Sequence, residues 1–268
     1  MMADAETRGR VVFVGAGPGR ADLITVRGAQ RLSAADVVLF DSLADPALRS
    51  LAPQARWIAV GKRGFGGVPH PARGEQQSTG QATINALLVK HASTGKLVVR
   101  LKGGDPSVFG RLEEELEALA AAGIECEVVP GVTAALAAAA ATQRPLTRRG
   151  AGRSVALTTA MPHDTGLNAG RHADSEVFYM AGRQLAALAR RLRDAGWPED
   201  VPVSVVSRAG WPDELASDHS LETLGQATVL HAGRPTVVVV GVGARKIGTS
   251  LPDSSRQPAH VALRIPAP

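Results

Sequence analysis

The chain has one cysteine, Cys126, in 268 residues, which excludes a disulfide framework and any zinc site built on cysteine. Aromatic residues make up only 3%, and no basic run alternates with them, so the stacking surface of a single-strand nucleic-acid binder is missing. Lysine is scarce as well: of 30 cationic residues only Lys62, Lys90, Lys96, Lys102 and Lys246 are lysines. The longest apolar stretches, residues 131–141 and 235–244, fall well short of the ~20 residues of a membrane span. The opening MMADAETRGR has no apolar core of the kind a signal peptide needs, so the expectation is a soluble, cytoplasmic protein with no membrane partner. The histidines (His70, His91, His163, His172, His219, His231 and His260) lack the short paired spacing of a zinc motif, and no metal is expected.

What is present describes a globular chain. A hydrophobic fraction of 44% with 21% charged residues is incompatible with disorder, and the length suits one large domain or two modest ones. The net charge of +5 is carried mainly by arginine, whose guanidinium pairs bidentately with carboxylate or phosphate. That favours a small polyanion over nucleic acid.

Periodicity gives an alternating βα order. Short apolar runs at residues 11–14, 36–40, 57–60, 96–101 and 126–129 read as buried parallel strands, with helices over 21–33, 79–91, 111–122 and 133–142. Residues 144–153, QRPLTRRGAGR with its leading Gln143, read as a linker. Beyond it lie strand candidates at 154–159, 177–180, 201–206 and 236–240, a helix over 183–195, and a shorter segment near 221–226. The expected architecture is α/β with two domains, residues 10–147 and 148–245, a ligand cleft between them, and a disordered tail over 246–268.

Four strand-end loops carry the chemistry. Gly15-Ala16-Gly17-Pro18-Gly19-Arg20 follows the first strand, and its glycines let backbone bend tightly and approach a ligand. It resembles a dinucleotide fingerprint, with Asp41 ending the next strand, but Arg20 takes the third glycine position. Pro18 also removes an N–H that a pyrophosphate would need. A nicotinamide-dependent oxidoreductase is therefore the weaker alternative. The second loop, Lys102-Gly103-Gly104-Asp105-Pro106, presents backbone N–H groups and one carboxylate on the same sheet edge. The third, Gly61-Lys62-Arg63-Gly64, places two cations beside Asp41; a surface salt bridge is the ordinary fate of such residues. In the fourth, Pro130-Gly131-Val132-Thr133, Thr133 suits a helix cap, which would account for it without any ligand.

Together these motifs resemble one family, the tetrapyrrole methylases, and within it the branch that methylates uroporphyrinogen III. The resemblance rests on VGAGPG (14–19), DLITVRGAQRLSAADVVLFDSL (22–43), VGKRG (60–64), INALLV (84–89), VVRLKGGDPSVFGR (98–111), VVPGVTAAL (128–136), PLTRRG (145–150), FYM (178–180) and VVVVG (237–241), in order over residues 10–244. It implies a homodimer of two-domain chains binding S-adenosylmethionine, released as S-adenosylhomocysteine, between the domains. It further implies two methyl transfers to uroporphyrinogen III, giving precorrin-2 for siroheme and cobalamin. A sister enzyme acting on a later corrin precursor such as precorrin-4 is the nearer alternative. Carried over position by position, Asp41 matches the proton acceptor and Lys62 the proton donor. Gly17, Pro18, Gly103, Gly104, Asp105, Val108, Thr133, Ala134, Met180 and Ala209 match cofactor positions. Arg63, Arg111, Arg148 and Arg149 are candidates to grip the substrate's carboxylates. A sulfonium cofactor has no phosphate, so Pro18 ceases to be a defect in this reading. The chain departs from the family pattern at Leu112-Glu113, Ala141-Thr142-Gln143-Arg144, Arg148, Thr159-Ala160-Met161 and Ala209, mostly where substrate is expected.

Overall fold

The computed structural model describes residues 9–61, 80–161, 167 and 169–248. The first half forms an all-parallel sheet of β1 (Arg10–Gly15), β2 (Val37–Phe40), β3 (Arg56–Ala59), β4 (Leu97–Lys102) and β5 (Cys126–Val129), in the order β3-β2-β4-β1-β5. Alternation along β1 explains why its apolar run is unbroken. Val12 and Val14 pack with Leu32 of α1 (Val26–Ser33) on one face. Val11 and Phe13 pack on the other with Ile84 and Leu88 of α2 (Gln81–Ala92) and Leu119 of α3 (Leu112–Ala121). Burial on both faces favours an apolar side chain at every position of such a strand.

The second sheet contains β6 (Val155–Thr159), β7 (Ser175–Tyr179), β8 (Pro202–Ser207), β9 (Leu215–Ser220) and β10 (Thr236–Gly241), ordered β6-β7-β10-β8-β9. Only β6 and β7 run parallel in it. Phe178, Val203, Val205, Val238 and Val240 pack against Leu185, Leu188 and Leu192 of α5 (Leu185–Asp194), with the short α6 (Ala227–Leu230) beside them. The opposite face, with Val177, Val206, Val237 and Val239, is covered by Ala135, Ala137 and Ala138 of α4 (Ala134–Ala141). The helix that leaves the first sheet therefore packs on the second, and its alanines allow that close approach.

The structure differs from the sequence reading at three places. The helix expected over 21–33 is broken, because Thr25 is extended and its side chain caps α1 by accepting the Gly28 N–H at 3.1 Å. β9, LASDHS, was not expected, since an edge strand with polar residues on both faces shows no alternation. The stretch expected as a linker is anchored: Arg144 is 8% exposed and grips both carboxylate oxygens of Asp218 on β9, with Nη2 2.8 Å from Oδ2, and donates to the Ala244 carbonyl at 3.1 Å. Residues 249–268, most of the expected tail, lie outside the described residues. Among the described residues no helix is long and apolar enough to cross a membrane.

Hydrogen bonding to Arg144 draws the Asp218 carboxyl down to about 2 from the ordinary 3.8, with Lys246 assisting. A depressed carboxylate stabilises the fold above its unfolded value, and that contribution disappears as pH falls through about 2. Asp218 is 42% exposed, so screening limits the contribution to about 1 kcal/mol at neutral pH. Asp218→Asn is expected to lose that much in urea denaturation at pH 7, with the gap to wild type narrowing below pH 4 as the carboxyl protonates; a gap independent of pH would contradict it.

Candidate active site

In a parallel sheet all carboxyl ends open on one edge, and here the loops after β1, β2, β4 and β5 meet there. The Ala16 N–H donates to the Lys102 carbonyl at 2.8 Å, and Gly17 and Gly104 exchange backbone bonds of 3.3 and 2.7 Å. The loop after β5 is tighter still. A Cβ on Gly131 would lie 2.3 Å from the Gly104 oxygen and 2.7 Å from the Gly15 Cα, and one on Gly15 would lie 2.5 Å from the Gly131 Cα. Glycine is required at both because backbone packs on backbone. Gly131→Ala should separate the three loops, costing about 2–4 kcal/mol in denaturant melts by overpacking with little room to relax; an unchanged midpoint would contradict this reading.

Two carboxylates tie these loops together. Asp105 accepts the Ser107 and Gly131 N–H groups, both at 2.8 Å. Asp41, at the end of β2, accepts the Leu43 and Gly103 N–H groups, both at 2.9 Å. Directly behind them is a buried ionic cluster absent from the sequence expectation. Glu115, fully buried on α3, accepts Lys102 Nζ at 2.8 Å, Arg100 Nε at 3.2 Å and Gln81 Nε2 at 3.1 Å. Burial pushes the Lys102 ammonium down, with nearby Arg100 adding to the effect and Glu115 and Asp41 opposing it.

The second sheet faces this edge with the residues after β7 and β8. Met180 and Ala209 join Val108, Ala134 and Ala135 in one apolar cluster with Tyr179. Tyr179 spans the two halves: its hydroxyl lies 2.7 Å from Thr133 Oγ1 and accepts the Ala135 N–H at 3.3 Å, while its ring lies 5.0 Å from that of Phe109. Burial raises its phenol. Backbone strain marks the same place. Among the described residues five non-glycines have positive φ, and four of them, Phe109 (51°), Arg111 (54°), Met180 (58°) and Arg208 (52°), lie in these loops.

The structure ties Gly17 to Gly104, Asp105 to Gly131 and Asp41 to Gly103, packs Val108, Ala134, Met180 and Ala209 in one apolar cluster, and links Thr133 to Tyr179 and Pro18 to Trp211 of the second half. The arginines are dispersed. Arg111 is paired with Glu114 through Nε at 2.7 Å and Nη2 at 2.6 Å. Arg148 donates to the backbone carbonyls of Arg245 and Lys246, which follow β10 and so lie at the opposite end of the second sheet from Met180. Arg149 is exposed in the neighbouring turn. Lys62 and Arg63 lie outside the described residues. Sequence reasoning missed Tyr179 and Glu115 as site-builders; the FYM motif was the available signal for the first, and nothing local marked the second.

The family model for tetrapyrrole (corrin/porphyrin) methylases matches residues 10–225. A uroporphyrinogen-III C-methyltransferase of Pseudomonas aeruginosa is 39% identical over 244 residues, covering 89% of this chain and 96% of that protein. A siroheme synthase of Baumannia cicadellinicola is 41% identical over 87% of this chain, which spans about half, 50%, of that longer protein. The crystal structure of a uroporphyrin-III C-methyltransferase from Thermus thermophilus complexed with S-adenosylhomocysteine superposes with a TM-score of 0.72 at 34% identity, covering 87% of this chain and 97% of that one. No oxidoreductase reading is needed for the glycine loop, for with this match over most of its length the chain belongs to the tetrapyrrole methylases.

Proposed function

We propose that this protein methylates uroporphyrinogen III with S-adenosylmethionine, in two transfers that yield precorrin-2 for siroheme or cobalamin. One observation carries the reading: glycine-backbone loops of the first sheet meet residues of both halves, Val108, Ala134, Met180 and Ala209, in one apolar cluster, and we place the donor between the two. A Cβ added at Gly104, where φ is +72°, would meet nothing nearer than Thr133 Cα at 3.9 Å, so bare backbone borders open space there. An apolar wall with peptide groups and no phosphate-binding N–H at Pro18 fits an adenosyl thioether better than a dinucleotide. We assign Gly17, Pro18, Gly103, Gly104, Asp105, Val108, Thr133, Ala134, Met180 and Ala209 to hold it.

When bound, S-adenosylmethionine supplies an electrophilic methyl group. An electron-rich pyrrole carbon attacks it directly, so the main work of the chain is positioning. The Asp41 carboxylate, fixed by the Gly103 and Leu43 amides, accepts the proton lost from the alkylated ring. Lys62 would return a proton, and Arg63, Arg111 and Arg149 would meet substrate carboxylates, Arg111 by exchanging Glu114 for a substrate carboxylate. Arg148, spent on backbone carbonyls, suits the grip least.

The reading includes a cytoplasmic homodimer. Exposed apolar side chains occur on one outer strand of each sheet and on the helix joining them: Val128 on β5, Leu136 on α4, 54% exposed, and Leu157 on β6. Leu136→Glu is expected to shift the sedimentation coefficient from dimer to monomer at micromolar protein, and a wild-type monomer would contradict the assembly. The function itself is tested by anaerobic incubation with uroporphyrinogen III and labelled S-adenosylmethionine. Gain of two methyl groups by product mass supports it; donor binding without methylated uroporphyrinogen moves the substrate to a later corrin precursor.

A further inference from the structure

The turn over residues 208–214, after β8, reaches across to the glycine loop of the first sheet. Gly210 accepts the Arg20 N–H at 2.9 Å, and Trp211 Nε1 donates to the Pro18 carbonyl at 2.9 Å. The approach is close enough to exclude a side chain, since a Cβ on Gly19 would lie 2.4 Å from the Gly210 oxygen. The turn is itself braced from several sides. Arg208 lies over the Trp211 indole at 4.4 Å and binds Asp213 through Nε at 2.7 Å, while Arg234 reaches Asp213 from the other side at 3.3 Å. Glu214 Oε2 accepts the Gly210 N–H at 2.7 Å. Behind the turn, Ser207 Oγ is held between His231 Nδ1 at 2.6 Å and Thr236 Oγ1 at 2.8 Å.

Pro18 thus belongs to the first half of the chain but takes its position from the second. We propose that Trp211 is a positioning residue: clamped by Arg208, it latches the Pro18 carbonyl and fixes the width of the slot between the glycine loop and the Met180–Ala209 wall. The inference rests on the methyl-donor reading of that slot, which sets what the latch is for. Trp211 touches neither ligand nor reacting atoms in this assignment, so its loss weakens donor binding and leaves the chemical step alone.

Trp211→Phe removes the donor and keeps an aromatic ring beneath Arg208. In the unliganded protein, exchange of the amide hydrogens of residues 16–20, read by mass spectrometry, is expected to accelerate about 5-fold, the worth of one ordinary hydrogen bond. The dissociation constant for S-adenosylhomocysteine and the KM for S-adenosylmethionine are expected to rise by a similar ~5-fold with kcat within about 2-fold. Gly19→Ala, which presses on Gly210 from the opposite side, should give the same pattern with Trp211 intact. Unchanged loop exchange and unchanged affinity in Trp211→Phe would overturn the latch, as would a loss confined to kcat. A wild-type protein that does not bind S-adenosylhomocysteine would overturn the donor reading instead, and the exchange measurement would still decide whether the latch exists.

Discussion

Replacing Asp41 with asparagine is expected to lower methylated product by about 10²–10⁴-fold, the usual contribution of a positioned acid–base group. The carboxylate is held by two backbone donors, Leu43 N–H on Oδ1 and Gly103 N–H on Oδ2. Asparagine can accept only one of them, and its amide would then face a donor with a donor. That mismatch costs about 1–3 kcal/mol and disturbs the loop that carries Gly103 and Gly104. Two effects are therefore combined, and three measurements separate them. Midpoints in denaturant report the mismatch, the affinity for S-adenosylhomocysteine reports the loop, and single-turnover methylation reports proton removal. The assignment of Asp41 as proton acceptor requires the last to fall far more than the second. Turnover within about 3-fold of wild type would reduce Asp41 to a loop tie.

How much of this was legible in the sequence depends on whether the governing contacts were local. β1 and β2 were legible because burial on both faces leaves runs such as VVFV with no polar member. The glycine loops were legible because tight bends at strand ends need glycine wherever the strands finally pack. β9 was not: its residues are chosen for partners outside the strand, Asp218 for Arg144 and Ser217 for His231. The stretch around Arg144 reads as a loose connector by composition, yet one buried guanidinium anchors it to the second sheet. Likewise the cofactor candidates could be ordered along the chain, while their meeting depends on Tyr179 and Trp211 contacting the other half at Thr133 and Pro18. Lys102 illustrates the limit most sharply. As a loop residue it invites reading as solvated, but the register of β4 turns it inward beside Arg100, toward a carboxylate on α3.

That carboxylate is the residue whose loss should cost the fold most. Glu115 is fully buried and serves two buried cations, Arg100 at 5% and Lys102 at 3% exposure. Glu115→Gln preserves shape but removes the carboxylate paired with both cations, and breaking a buried ion pair in this way costs about 3–5 kcal/mol. Arg100 retains the Leu39 and Leu101 carbonyls at 3.4 and 3.2 Å, so Lys102 bears most of the strain and can relieve it by losing its proton. The sign of the pH dependence follows. Burial already holds the folded-state ammonium below the ordinary 10.5, and removing Glu115 takes away a charge that opposes this shift. The unfolded chain then binds the extra proton, so stability rises with pH until the ordinary lysine value is reached. Urea midpoints of Glu115→Gln should therefore climb toward wild type between pH 7 and pH 10, the variant losing least where lysine is easiest to deprotonate. Adding Lys102→Met to Glu115→Gln should recover stability at pH 7 and flatten that slope. A pH-independent deficit in the single variant, or no recovery in the double, would mean that packing of the side chain rather than its charge holds this corner of the site together.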